Sequence, residues 1–417
     1  MKITILTTYF SPEITAVTHL LSDLANDFAK FGAEVTVVTS VPTRGIDKDT
    51  REEYLSRKDE KISSNLRIIR VGSGKQEVKN FTVRALNYGI NSYSLYHAAK
   101  KIETDVYLIS STPPFLGFAG AFLSKKSLTV YNLQDVFPDS LISSGKASEG
   151  SLLVRILRKF ERYVYRKQNH IIAISQDYRR LLLEREVSNS KISIIYNWID
   201  EKKVTEIYRN NNKLIKKYKL EQDKFYVTYC GNIGHTQNLE MVIDTAMELE
   251  PILPEIRFIL IGDGARKSDI EAYIKNKYVK TVKILPFQPY EDISHVMSLG
   301  NVSLVCSKPN VSMSSLPSKT WSIMAAGRPV ITSFDLDSEL CEIVNNAKSG
   351  ICVPPDDKEA LKNAIIYAYN HQDEMIQLGN NAREYIENNL TREVATQRYF
   401  DVLTKVNEKN YERGREQ

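Results

Sequence analysis

The sequence predicts an α/β protein of two lobes, each built on a doubly wound parallel sheet. Three observations carry this. A β-rich run at Ile3, a helix-patterned segment at Thr18 and a second β-rich run at Val35 open the chain. The same succession recurs at Tyr226, Asn238 and Phe258, with the same interval between its two β-rich runs; strand, helix and parallel strand so spaced make the opening unit of a doubly wound sheet. The strand candidates are also near-continuous apolar runs, as expected where helices cover both faces of a sheet.

Taken in order, ITILT is the first strand, and the helix from about Thr18 to Lys30 stops before Gly32 and leads into EVTVVTS. Thr43 to Asn65 is polar and reads as one long loop between strands, either functional or solvated and mobile. Strands follow at LRIIRV, VYLISS, LTVYNL, HIIAIS and KISIIYN, completing a first lobe over residues 1–200. Residues 201–222, rich in Lys and Asn, read as a linker. The second lobe, residues 223–390, holds FYVTYCGN, the helix NLEMVIDTAMELE, then RFILIGDG, VKILPF, VSLVCS, PVITSF and GICVP. Residues 391–417 form a C-terminal helix, expected to return toward the first lobe with its charged end, NEKNYERGREQ, frayed.

The bulk composition fits this plan. A chain of 417 residues with 42% apolar and 26% charged side chains can fill two cores. A net charge of +5 over that length does not argue for a nucleic-acid partner, although a local basic face can still meet phosphate or anionic lipid. Cys230, Cys306, Cys341 and Cys352 match no metal-ligand spacing and read as small buried hydrophobes. The N-terminus lacks a signal peptide's apolar segment, and no stretch approaches the ~18–20 apolar residues that span a bilayer. A cytoplasmic location is expected.

Ligands of doubly wound sheets lie beyond the carboxyl ends of the strands. In the first lobe that position holds TYFSPEITA, which lacks the glycine fingerprint of a dinucleotide site. In the second it holds GNIGHTQN, whose backbone N–H groups can cradle a phosphate or simply form a turn. RFILIGDG adds a glycine turn at the next strand. The segment LPSKTWSIMAAGRPVI then sets Lys319 in a first helical turn, with Gly327 as the stop. A cation there opposes the helix dipole unless an anion is bound, or unless it merely snorkels into water. Two phosphate-suited elements in one lobe point to a nucleoside diphosphate.

With these elements in hand, YFSPE, NLQDVFPDSL, YNWID, GNIG, IGDG, LPFQP and SKTWSIMAAGRPV occur in an order that resembles the retaining glycosyltransferases of family 4. The likeness covers nearly the whole chain and is nearest to transferases of bacterial capsule, exopolysaccharide and O-antigen, including N-acetylfucosamine transferases. It implies the GT-B fold, two Rossmann-like lobes facing across a cleft. It also implies metal-independent transfer of a sugar from a nucleotide diphosphate donor, a UDP-sugar, with no cofactor and no dedicated base. The acceptor it implies is a glycan or a polyprenyl-diphosphate-linked sugar, handled at the inner face of the cell membrane.

By the same resemblance, donor contacts fall on Asn232, Gly234, His235, Gly262, Asp263, Gly264, Phe287, Ser314, Ser315, Ser318 and Ser322. Many members carry two glutamates where this chain has Ser314 and Ser322, and an Arg and a Lys where it has Asn232 and Gln237. Lys319 is therefore expected to carry most of the diphosphate charge. In the first lobe Asp135 is the second catalytic candidate, with helix capping as its alternative. Glu13, Thr15 and Gln134 are candidate sugar or acceptor contacts. Phe287 lies where the family holds the base, or else is ordinary packing. Residues 153–167 read as a basic amphipathic helix that either packs on the sheet with a solvated face or touches a membrane, its stripe being Leu153, Ile156, Leu157, Phe160 and Val164. The rival readings are a UDP-sugar 2-epimerase and a non-catalytic nucleotide-sugar-binding partner, the latter prompted by the missing glutamates.

Overall fold

A computed structural model describes residues 1–13, 15, 17–72, 81–143, 147–310 and 316–415. The chain divides into two compact units, Met1–Asn197 with Ala395–Gln417, and Trp198–Val394.

The first unit opens with β1 (Lys2–Leu6), α1 (Thr18–Lys30) and β2 (Glu34–Ser40). It continues through α2 (Lys48–Ser56), β3 (Asp59–Lys61), β4 (Leu66–Val71), α3 (Phe81–Ala99), β5 (Val106–Ser110) and α4 (Leu116–Leu123). Then come β6 (Leu128–Leu133), α5 (Asp139–Ser143), α6 (Leu152–Lys167), β7 (His170–Ala173), α7 (Gln176–Glu184) and β8 (Ile192–Ile194). Its sheet runs β3-β4-β2-β1-β5-β6-β7-β8, parallel except for the edge strand β3. Chain order reverses between β1 and β5, where Ile5 pairs with Val37 on one side and Leu108 on the other.

The second unit begins with α8 (Lys213–Lys217), β9 (Phe225–Cys230), α9 (Leu239–Leu249), β10 (Ile256–Ile261), α10 (Lys267–Asn276) and β11 (Val282–Leu285). It goes on through α11 (Ile293–Met297), β12 (Val302–Cys306), α12 (Lys319–Ala325), β13 (Val330–Ser333), α13 (Glu339–Asn346) and β14 (Gly350–Val353). Two longer helices, α14 (Lys358–Asn370) and α15 (Gln372–Asn389), precede α16 (Arg392–Arg415). The sheet, β11-β10-β9-β12-β13-β14, is wholly parallel, and its reversal point lies between β9 and β12. Phe225, Val227 and Tyr229 of β9 pack with Val242, Ile243 and Ala246 of α9 in one apolar core.

Several expectations need correction. Residues 43–65 are not one loop. Asp47 accepts a hydrogen bond from the Thr50 amide and starts α2, and β3 then pairs antiparallel with β4. Residues 201–222 are built into the second unit, where the Thr205 and Ile207 amides bond the Ser294 and Ser298 hydroxyls. The charged C-terminal run is helical as far as Arg415. Phe400 of this helix packs its ring 5.8 Å from Phe28 and 5.3 Å from Phe31. Among the described residues no helix is long and apolar enough to cross a membrane.

Helix α6 departs from the expected stripe most sharply. Its core contacts are Val154, Glu161, Val164 and Tyr165, whereas Leu153, Ile156 and Phe160 are exposed and Leu157 is half-buried.

Candidate active site

Along the carboxyl edge of the second sheet, residues far apart in sequence are brought together. The Gly231 amide extends β9 by bonding the Ile261 carbonyl, and the Ile233 amide bonds the Asp263 carbonyl at 2.8 Å. The turns after β9 and β10 are thereby laced to each other. That lacing needs two glycines. A Cβ on Gly262 would stand 1.8 Å from the Gly231 carbonyl oxygen, and one on Gly264 would stand 2.4 Å from that of Ile233. Asn232, His235 and Asp263 are exposed on these turns. The Gly234 amide already donates to the Gln237 side-chain oxygen at 3.1 Å, so a ligand phosphate has to displace that oxygen to use it. Phe287, after β11, is 73% exposed, which overturns its reading as ordinary packing.

Lys319 is the first residue of α12 and reaches back over the β9 turn. A Cβ placed on Gly231 would lie 3.5 Å from the lysine Cδ and 3.8 Å from its Nζ. The ammonium sits 3.8 Å from the centroid of the Tyr229 ring. Tyr229, buried between Leu260 and Leu304 on the neighbouring strands, donates its hydroxyl to the Asn232 carbonyl at 2.7 Å. Sequence reasoning missed this tyrosine; its only signal is an aromatic residue two places before the glycine turn.

Burial lowers the Lys319 pKa to about 8. Cys230 and Cys306 flank it, but burial pushes their thiols up to about 12 and about 11, so at neutral pH they are uncharged. Among the described residues no carboxylate pairs with Lys319. Half-buried, and with the π face of Tyr229 as its one partner among the described residues, this ammonium is prepared for an anion arriving from outside. This burial is a stronger constraint than the dipole of so short a helix.

The remaining predicted residues divide clearly. Ser318, just before α12, is exposed and Ser322 on it is half-buried, while Ser314 and Ser315 lie outside the described residues. The helix end is as read: Gly327 has φ +67°, and the Arg328 amide bonds back to the Ile323 carbonyl at 3.2 Å.

In the first unit, Ser111 beyond β5 accepts the backbone amides of Gln134 and Asp135 at 2.9 and 3.2 Å, fixing the end of β6. Burial pushes the Asp135 pKa up, against hydrogen bonds from the Ser140 hydroxyl and the Val136 amide. Asp135 lines a cavity of about 140 Å³ together with Phe118, Phe137, Leu157, Phe160 and Glu161. Gln134 is tied at both ends of its amide, donating to Asn132 at 3.0 Å and accepting from Asn197 at 2.8 Å. Glu13 is buried, and its carboxylate accepts the amides of Thr43, Arg44 and Phe10 at 2.7, 3.0 and 3.3 Å. It fastens two loops together instead of facing solvent. Thr15 shares a hydrogen bond with the Thr18 hydroxyl at the start of α1. The Arg44 guanidinium, another residue the sequence did not mark, stacks 4.4 Å over Tyr9.

Comparison with known proteins bears on the family and the fold. Residues 17–203 match the family model Glycosyltransferase Family 4, and residues 210–385 match Glycosyl transferases group 1. A protein of Escherichia coli (strain K12) named as a colanic acid biosynthesis glycosyl transferase, WcaI, is 24% identical over 96% of this chain and 99% of its own length. Among solved structures, sucrose-phosphate synthase from Thermosynechococcus elongatus superposes with a TM-score of 0.74 at 18% identity, covering 97% of this chain and 98% of that one. Anabaena Alr3699/HepE in complex with UDP gives 0.71 at 17% identity, covering 97% and 100%. The two parallel-sheet units have the GT-B fold.

Proposed function

Because the chain is a glycosyltransferase, with a family 4 domain followed by a group 1 domain, we propose that it transfers a sugar from a UDP-sugar to a glycan or polyprenyl-diphosphate-linked acceptor in surface polysaccharide synthesis. The second unit takes the donor and the first takes the acceptor. Transfer retains the anomeric configuration and uses no metal. An N-acetylated amino sugar heads the donors to be tried.

The observation that carries this reading is Lys319, an ammonium without a carboxylate partner among the described residues, held against Tyr229 and the Gly231 turn. In the proposed reaction the bond from the anomeric carbon to the β-phosphate oxygen breaks. The acceptor oxygen bonds to that carbon on the same face, and its proton passes to the departing phosphate oxygen. Lys319 stabilises the charge that accumulates on the diphosphate, and the turn after β9 contributes backbone N–H groups. Asp135 orients sugar hydroxyls. The UDP bound in the Anabaena relative and the colanic acid role in the name of the Escherichia coli relative support the donor and the pathway class.

The test is incubation with a panel of UDP-sugars and a lipid-linked acceptor, following product by mass spectrometry for the wild type and Lys319→Ala. Transfer by the wild type and a loss of about a hundredfold in the variant are expected. Undiminished transfer by Lys319→Ala removes the lysine from the mechanism.

A further inference from the structure

Helix α6 has three faces. One is buried through Val154, Glu161, Val164 and Tyr165. A second presents Leu152, Leu153, Ile156 and Phe160, which are 72%, 49%, 43% and 47% exposed. A third carries the exposed cations Arg155, Lys159, Arg162 and Arg166. At ~100° per residue the exposed apolar group spans roughly 100° of the helix surface, and the cations occupy the roughly 60° sector beside it. A helix that merely packs on its sheet has no use for four large apolar side chains in water. Apolar and cationic sectors side by side suit a helix lying in a bilayer interface.

The neighbouring helices extend this face. The strand order places α3, α4 and α6 on one side of the sheet, since each connection leads in the same direction across it and is right-handed. Phe118 of α4 packs its ring 5.3 Å from Phe160, and Phe122 meets Tyr96 of α3 at 6.0 Å. Beyond them α3 exposes Leu86, Ile90 and Tyr93, a helical stripe with each residue at least 65% accessible. Single exposed apolar residues are ordinary, but a contiguous group on three packed helices is not.

On the cationic side, Lys159, Arg162 and Arg166 line a cavity of about 440 Å³ whose opposite wall brings Arg185 and Lys191. Glu186 is the one carboxylate among its lining residues. Arg185 is committed to Asp139 and Glu161, and Lys191 donates to the Gln168 carbonyl at 3.2 Å. Among the described residues no carboxylate pairs with Lys159, Arg162 or Arg166. Like charges one turn apart repel each other, and an anion in the cavity relieves that repulsion.

We propose that this face docks on an anionic bilayer. Leu152, Leu153, Ile156 and Phe160 enter the acyl boundary, and the Lys159–Arg162–Arg166 cavity holds the phosphate of a lipid headgroup. The proposal rests on the reading of the acceptor as lipid-borne, and it assigns a specific surface to that encounter.

The test is co-sedimentation of the full chain with phosphatidylcholine vesicles, with and without phosphatidylglycerol, alongside calorimetry with UDP. The wild type is expected to sediment only with the anionic vesicles and to be released by salt. The triple variant K159Q/R162Q/R166Q should lose roughly a hundredfold in partitioning, at about one step of electrostatic attraction per cation. I156S/F160S should lose binding without losing the salt dependence of what remains. Both variants alter exposed side chains of the first unit and should keep wild-type UDP affinity. Failure of the wild type to bind anionic vesicles, or equal binding by the triple variant, overturns the proposal. So does inorganic pyrophosphate binding that the triple variant lacks when no vesicle is bound, which marks a soluble-phosphate site. A dimer dispersed by I156S/F160S, again without vesicle binding, also overturns it, since the face is then a contact between two copies. Absence of UDP binding by the wild type instead strikes the donor reading and leaves the vesicle result standing.

Discussion

The Nζ of Lys319 stands 3.8 Å from the centroid of the Tyr229 ring, and that relationship sets stability against function at one residue. Burial disfavours the charged form and draws the pKa down to about 8, yet at pH 7 the amine is still mostly protonated. The folded protein therefore carries a penalised charge that a ligand anion offsets. Lys319→Met keeps the stem and removes the charge. Its ligand-free unfolding temperature at pH 7 should be no lower than that of the wild type, while the added stabilisation from UDP largely disappears. An affinity loss of roughly 10- to 100-fold is expected for a lost charge-assisted hydrogen bond. Thermal unfolding with and without UDP measures both; a clearly lower ligand-free midpoint would contradict the assigned role.

The same shift gives UDP binding a pH signature. Bound diphosphate favours the ammonium, so the lysine pKa is higher in the complex than its free value of about 8. Below pH 8 the amine is charged in both states, and Lys319 adds no pH dependence. Above it, binding takes up a proton, and affinity should fall toward tenfold per pH unit until the pKa of the complex is reached. Calorimetry in buffers of different ionisation enthalpy should detect this uptake above pH 8, and Lys319→Met should abolish it.

Glycine substitutions separate a turn that needs glycine from a helix that does not. Gly262→Ala drives a methyl to 1.8 Å from the Gly231 carbonyl oxygen, a backbone atom that cannot swing aside. A destabilisation of about 1–3 kcal/mol or more, with loss of UDP binding, is expected. Gly89 lies within α3, and a Cβ there meets nothing within 4 Å. Gly89→Ala should therefore stabilise by about 0.5–1 kcal/mol. Trp198 and Trp321 both lie in the second unit, so denaturant unfolding followed by their fluorescence reports on Gly262→Ala. Far-UV circular dichroism serves for Gly89→Ala.

These positions also show what the sequence makes legible. Strands such as RFILIGDG stand out because a parallel sheet buried on both faces demands unbroken apolar runs, and Gly262 and Gly264 stand out because glycine marks close backbone approach. The start of α2 was not legible, since Asp47 caps the Thr50 amide but an aspartate in a polar stretch marks a turn as readily as a helix start. Tyr229 beneath Lys319 was not legible, because no local rule joins residues that only a crossover topology brings together. Nor was the true task of Glu13, whose partners Thr43 and Arg44 lie on another loop. For α6, hydrophobic periodicity correctly gave an amphipathic helix. It could not say which part of the stripe meets the core, because Glu161 is buried there by an ion-pair network instead of by apolarity.

That network supplies the last prediction. Arg185 bonds Asp139 at 2.7 Å and also Glu161, whose side chain is only 3% exposed, and Arg158 closes on Asp139 from the other side at 2.7 Å. Burial pushes the Asp139 pKa up, but the two guanidinium groups outweigh it and hold the carboxyl below its ordinary value. Its contribution to stability is thus fully present above the unfolded-state pKa of about 4 and is lost as pH falls through the lower folded-state value. Arg185→Ala leaves Glu161 buried without its main partner and should destabilise the first unit by about 3–5 kcal/mol at pH 7. Replacing both ends, as in Arg185→Met with Glu161→Leu, should be markedly milder because no uncompensated charge remains in the interior. The acid-induced loss of stability carried by Asp139 should also be smaller in Arg185→Ala and be complete at a higher pH than in the wild type, since Asp139 then keeps only Arg158 and its folded-state pKa moves up toward the unfolded value. Urea unfolding followed by circular dichroism between pH 3 and 7 tests all three expectations; if the single variant is no less stable than the double, the buried pairing does not govern this unit.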